Sequence, residues 1–252
     1  PRVSYLAAME RDEYAIMFRV EDRHWWYAGL RAMLDFAWYR TGQGNTSRIV
    51  DAGCGTGANL THFKTRADCI GIDFSSEAIC LCRTRGHAAT AVASINALPF
   101  AADSIDVAIS CDVLCHRSIA DPLVPLREIA DALRPGGTLL LNLPAYQWLF
   151  SSHDIHVHTT RRFTKHQVLH MLANAGFENV YATYWNSLLF PLIVVTRLWR
   201  KVKPLSASDL EGNTGERAYP IFSIVLAAER ALLQIAPLPF GLSVLCVARK
   251  RA

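Results

Sequence analysis

Short apolar runs alternate with helical periodicities through the middle of the chain. RIVD (48–51), CIGID (69–73), DVAIS (106–110) and TLLLNL (138–143) are apolar stretches of strand length and read as buried strands. Apolar positions at helical spacing occur near 57–65, 76–84, 121–133 and 165–174. Strands alternating with helices predict an α/β fold with right-handed crossovers: a Rossmann-like, doubly wound, mostly parallel sheet covered on both faces. NVYATYW (179–185) and LSVLCVAR (242–249) read as later strands that close this sheet as a β-hairpin. Residues 5–39 pattern as two amphipathic helices capping the domain. The expected layout is a single domain over 1–252, divided into a helical cap (1–45), a Rossmann-like core (46–186), an apolar helical insertion (187–240) and a last strand (241–252).

Composition narrows the class. The chain has 252 residues, 51% of them hydrophobic, and a net charge of +4, which excludes disorder as the main state. Seven cysteines, an odd number without a CxxC pair, argue for reduced thiols and a cytoplasmic setting. No run approaches the roughly 20 apolar residues of a membrane-spanning helix. The opening PRVSYLAAMERDEYA carries more charge than a signal peptide, and a chain beginning at Pro1 need not carry its native start.

Charge and apolar density are uneven. Residues 151–252 hold 12 Lys and Arg against 6 Asp and Glu, whereas residues 1–150 hold 14 against 16. The same final hundred residues contain the densest apolar stretches, SLLFPLIVVTRLW (187–199) and YPIFSIVLAAERALLQIA (219–236), separated by a polar, turn-rich loop at 203–216. Ordinary buried helices explain these stretches. A sharper reading makes 187–240 a lid over an apolar substrate or a peripheral membrane contact, with Arg197, Arg200, Lys201 and Lys203 suited to an anionic interface.

IVDAGCGTGANL (49–60) is the most informative segment. A strand ends at Asp51, and Gly53, Gly55 and Gly57 precede a helix whose free N–H groups suit an anion. Read as Gly53-x-Gly55-x-x-Ala58, the loop also satisfies the dinucleotide fingerprint, and Asp73 closes the next strand where a carboxylate meets ribose hydroxyls. These residues alone indicate an adenosyl cofactor, which leaves NAD open.

Two later segments decide between the two. NALPFAADSIDVAISCDVLCH (96–116) and REIADALRPGG (127–137), in order with DAGCGTG and GIDFS, resemble the class I S-adenosylmethionine-dependent methyltransferases, specifically their type 11-like branch, over residues 46–145. The resemblance implies S-adenosylmethionine as cofactor, with Asp51, Gly53, Gly55 and Gly57 around its methionine part and Asp73 on the ribose diol. It implies Phe74 against the adenine, Ile95 at the adenine edge, and Cys111 and Asp112 at the methionine amino group. Ser94 stands where the family often carries an aspartate, and a hydroxyl accepts more weakly than a carboxylate.

The acceptor side is read from two further segments. SSHDIHVHTTRRFTKHQ (151–167) follows the fifth expected strand, on the ligand-binding side of a parallel sheet, and shares an HD…H..RR-F/Y pattern with relatives of the branch. A His153/Asp154 acid–base pair is expected, with His116 as a second candidate base, and His158, Arg161 and Arg162 hold the acceptor. The spacing of His153, His156 and His158 is compatible with a metal, which the branch does not require, and none is expected. EDRHWWYAGLR (21–31) supplies Trp25, Trp26 and Tyr27 as an aromatic wall. The expected reaction is methyl transfer to a small acceptor, lipid-like or anionic, with O-methylation favoured. A scaffold without catalysis and an NAD-dependent oxidoreductase are the alternatives. NLPAY (142–146) resembles the Asn-Pro-Pro-Tyr motif of adenine methylases but lies after the wrong strand, and no basic–aromatic stripe supports a nucleic-acid partner.

Overall fold

The computed structural model describes residues 13–42, 44, 47–202 and 219–251. Among these residues, seven strands form one open sheet in the order β3-β2-β1-β4-β5-β7-β6. The strands are β1 (Arg48–Ala52), β2 (Asp68–Asp73), β3 (Thr90–Val92), β4 (Ile105–Cys111), β5 (Leu133–Pro144), β6 (Phe177–Trp185) and β7 (Ser243–Lys250). β1 to β5 run parallel, and β7 is antiparallel to both β5 and β6. The expected β6–β7 pair therefore exists, but it forms one edge of the sheet and closes nothing. β3 forms the other edge. Its three residues carry too short an apolar signal to be read from sequence, with Ala91 and Val92 exposed.

Strand alternation explains why both faces are buried. Ile49, Val107, Ile109 and Leu140 point to one face, while their neighbours Val50, Ala108, Leu139 and Leu141 point to the other. The first face is covered by α2 (Trp25–Thr41), through Leu30, Leu34 and Ala37. The second is covered by α5 (Leu123–Ala132) and α7 (Lys165–Asn174), through Leu126, Ile129, Val168 and Leu172. α7 begins at the Thr164 cap, whose hydroxyl accepts from Gln167 N–H in a complete capping box.

Smaller elements shape the ligand side. These are α1 (13–20), α3 (Ala58–Phe63), α4 (Ser76–Thr84) and α6 (Ser152–His156), the last within a segment expected as loop. The apolar stretches form α8 (Phe190–Val202) and α9 (Tyr219–Ile235). α9 belongs to the core: Leu226 and Leu233 are buried with α2. Gly29 permits that approach, since a Cβ there would meet Leu226 Cδ1 at 2.8 Å. The loop at 203–216 and residues 5–12 of the expected cap lie outside the described residues.

Candidate active site

The loop after β1 is shaped by its glycines and tied to β2. Gly53 has φ +90, and a Cβ there would overlap the Val113 side chain, so no other residue fits. Gly53 and Cys54 N–H donate to Ile72 C=O at 2.8 and 2.9 Å. Gly55 N–H donates to Asp73 Oδ2 at 2.9 Å, Ser75 N–H to Oδ1 at 2.9 Å, and Tyr14 O–H to Oδ1 at 3.4 Å. The Asp73 carboxylate is thereby held rigidly at the strand end, and burial raises its pKa against these hydrogen bonds.

Other carboxylates crowd this end of the sheet. Asp51 is fully buried, and among the described residues neither oxygen has a hydrogen-bond partner of standard geometry. Burial pushes its pKa up to about 7; the Asn59 amide opposes this, while Asp73 and Glu21 add to it. Asp112 takes a positive φ of 58 and accepts both carboxylate contacts from Asn142 Nδ2 at 3.2 Å. Burial again raises its pKa to about 7, opposed by Asn142 and Arg162. Glu21 accepts from the Thr56 hydroxyl and pairs with Arg85 at 2.7 Å, and burial raises its pKa as well. A wall of buried carboxylates suits a cationic ligand.

One cavity of about 600 Å³ runs from this wall to the histidines beyond β4. At the cofactor end it is lined by Gly53, Gly55, Asp73, Cys111 and Asp112. Phe74, 46% exposed, adds an aromatic face and lies 5.5 Å from the His116 ring. Ile95 is buried at the cavity border, and Ser94 Oγ accepts from Asn96 N–H at 3.2 Å. Gly57 faces away, toward Cys82 and His87, and Asp51 sits behind the loop without reaching the cavity surface.

At the other end, Trp26, Tyr27, His116 and His158 line the cavity. The His116 and His158 rings meet edge to face at 5.7 Å. Ser118 N–H donates to His116 Nδ1 at 3.1 Å, and His158 Nε2 lies 3.4 Å from Glu13 Oε2. Burial raises the Tyr27 phenol pKa, helped by Glu21 and Asp112.

Other expected acceptor residues serve the scaffold. Trp25 packs against Phe222 of α9 with ring centroids 4.8 Å apart and does not line the cavity. Arg161 donates to Ile119 and Ala120 carbonyls at 2.7 and 3.1 Å, which clamps the loop after His116, and it does not line the cavity. Arg162 lines the cavity, but its Nε and NH2 hold Asp154 at 2.8 and 2.7 Å and its NH1 holds Ala145 C=O. Asp154 lines the cavity too, and its buried carboxylate, which also accepts from Ser151 N–H, anchors Arg162. The His153 side chain lies outside the described residues.

The structure adds residues that no motif marked. Glu13, Tyr14 and Met17 of α1 line the cavity, although their segment reads only as an amphipathic helix. Arg197 of α8 lines it too and donates to Leu149 C=O at 2.8 Å. Asn142 was visible only as part of NLPAY, and its partnership with Asp112 requires β4 and β5 to be adjacent.

Comparison with known proteins agrees with this geometry. Residues 50–141 match the family model described as a methyltransferase domain, and this match supports a class I S-adenosylmethionine-dependent methyltransferase. A curated relative is an uncharacterized 37.1 kDa protein in transposon TN4556 of Streptomyces fradiae, 29% identical over 204 residues. The match takes in 76% of this chain, and the chain spans 58% of that relative. Among solved structures, a chain of the complex between the Haloferax volcanii Trm112 methyltransferase activator and a methyltransferase aligns with TM-score 0.63 and 22% identity, covering 98% of this chain and 97% of that one. The [4+2]-cyclase SpnF aligns with TM-score 0.61 and 20% identity, covering 91% and 85%. At these identities the likeness is one of fold, and a cyclase among the matches shows that fold alone does not prescribe the reaction.

The cofactor is S-adenosylmethionine, and the residues present fit it. Asp112 at the cavity surface and Asp51 behind the loop offer negative charge, the side-chain-free Gly53 and Gly55 leave room for close approach, and Asp73 with Phe74 presents an acceptor beside an aromatic face.

Proposed function

We propose that the chain transfers the methyl group of S-adenosylmethionine to the hydroxyl of a small, largely hydrophobic acceptor. The observation that supports this reading is the single cavity joining the carboxylate wall to an end built from Trp26, Tyr27, His116 and His158. Its volume of about 600 Å³ lies in the range of small-molecule sites.

When bound, S-adenosylmethionine supplies an electrophilic methyl on a sulfonium centre, so the chain's task is positioning and proton removal. Neutral His116 accepts a backbone N–H at Nδ1, which places its own proton on Nε2 and makes it a hydrogen-bond donor. His158 is arranged the opposite way. Its Nε2 lies 3.4 Å from Glu13 Oε2, and a proton held on that nitrogen leaves Nδ1 as the basic one. We assign His158 as the base for the acceptor hydroxyl, His116 as a donor to the acceptor, and Trp26 and Tyr27 as its apolar wall.

The test is incubation of the protein with isotopically labelled methyl donor and a cell extract, followed by mass spectrometry. A labelled small molecule carrying an O-methyl group supports the reading. Label found only on nitrogen or carbon rejects the hydroxyl acceptor, and label found only on protein or nucleic acid rejects the small molecule.

A further inference from the structure

The outer faces of α8 and α9 are apolar where a surface helix presents polar groups. Leu188, Leu192 and Val195 stand outward on and just before α8, with Val195 63% exposed, while Ile193, Val194 and Arg197 turn inward. On α9 the exposed set includes Ile224 and Ile235, 70% and 82% exposed, with Ala228 and Leu232 between them. From 222 to 240, Gln234 is the one polar residue among the exposed positions.

The patch is continuous. Phe190 packs on both Trp148 and Phe240, at 6.2 and 5.5 Å between ring centroids, and both of these are themselves exposed. Glu229 of α9 accepts from Leu188 N–H at 2.9 Å, which fixes the start of α8 against α9.

Charge selects the occupant. Residues 187–202 contain no acidic residue, and α8 carries Arg200 and Lys201 at its end, while Arg197 turns inward toward Asp154. The single acid of 219–236, Glu229, is buried. An apolar face with exposed Trp and Phe, beside a helix end rich in basic residues and with no exposed carboxylate among the described residues of α8 and α9, has the makeup of an interfacial lipid contact. No helix among the described residues is long and apolar enough to cross a membrane.

We propose that α8 and α9 form a docking face for an anionic lipid bilayer. α8 then carries lipid contact on its outer side and Arg197, a cavity-lining residue, on its inner side. Docking sets the acceptor end of the cavity beside the bilayer, and an amphiphile is the acceptor class this favours. That last step rests on the methyl-transfer reading; the docking itself does not.

The experiment is co-sedimentation of the full chain with vesicles of phosphatidylglycerol and phosphatidylcholine, and with phosphatidylcholine alone. Binding should favour the anionic vesicles and weaken with salt. It should fall at least tenfold in Leu192→Glu/Val195→Glu and in Ile224→Glu/Ile235→Glu, with S-adenosylhomocysteine affinity unchanged. In the unsubstituted chain, brominated acyl chains should quench tryptophan emission, a readout that needs no variant. Absent vesicle binding, absent quenching, or binding that neither variant alters overturns the proposal. Self-association that the same substitutions abolish, without vesicle binding, also overturns it and makes the face a contact between copies. Loss of docking with cofactor binding and label transfer intact would leave the methyl-transfer reading standing.

Discussion

Trp185 Nε1–H donates to Asn142 Oδ1 at 2.7 Å, with both side chains fully buried. The other half of the Asn142 amide holds the Asp112 carboxylate. The indole of β6 thus orients the amide of β5, and the amide orients the carboxylate at the end of β4. Asn142→Leu keeps similar bulk and strands both partners. Leaving a buried polar group unpaired costs about 1–3 kcal/mol, so urea unfolding should show a loss of that size. Trp185→Phe removes one hydrogen bond and should cost less. Calorimetry should also show weaker S-adenosylhomocysteine binding in Asn142→Leu.

Asp73→Ala removes the carboxylate that ties Gly55 to β2 and is assigned to the ribose. S-adenosylhomocysteine affinity should fall at least about tenfold, equivalent to about 1.4 kcal/mol. NAD, titrated in parallel, should not bind either protein. Binding of NAD in preference to S-adenosylhomocysteine would overturn the cofactor assignment.

The raised pKa values of Asp51 and Asp112, both near 7, give a pH dependence of definite sign. An aspartate whose folded pKa is raised binds its proton more tightly folded than unfolded, so its burial costs least when protonated. The free protein should therefore lose stability as pH rises from about 4, the ordinary value, through 7. S-adenosylmethionine, a cation, favours the ionised forms, so its affinity should rise between pH 6 and pH 8. Melting temperatures with and without ligand across this range check both signs. A ligand effect that is flat with pH would detach these carboxylates from the cofactor.

His158→Ala should lower turnover by about 10²–10⁴, the usual contribution of a positioned base, while S-adenosylhomocysteine affinity stays near that of the unsubstituted protein. His116→Ala should cost less, as loss of a donor. His153→Ala makes a useful companion. If it abolishes turnover while His158→Ala does not, the base belongs to α6.

Much of the core was legible because local pattern and tertiary role coincide there. RIVD, CIGID and DVAIS lie in a sheet covered on both faces, so each reads as a short apolar run, and α7 begins and ends where its periodicity predicts. The cofactor loop was legible for a different reason: only glycine fits Gly53 beside Val113. The acceptor end was not. Arg161 and Arg162 lie side by side in sequence, yet one clamps carbonyls at 119–120 and the other pairs with Asp154. That difference depends on which neighbours the fold brings near, and a motif of charged residues does not encode it. Glu13 and Tyr14 were invisible for the same reason, since their partners lie far along the chain.

Those two consecutive residues of α1 also join the two halves of the cavity. Tyr14 reaches Asp73 at the cofactor end, and Glu13 reaches His158 at the acceptor end. A ligand that settles α1 at one end thereby prepares the other. Cofactor and acceptor affinities should then be coupled, and linkage requires each to raise the other by the same factor. A single turn of helix at the start of the described residues then makes the two ends of the cavity one thermodynamic unit.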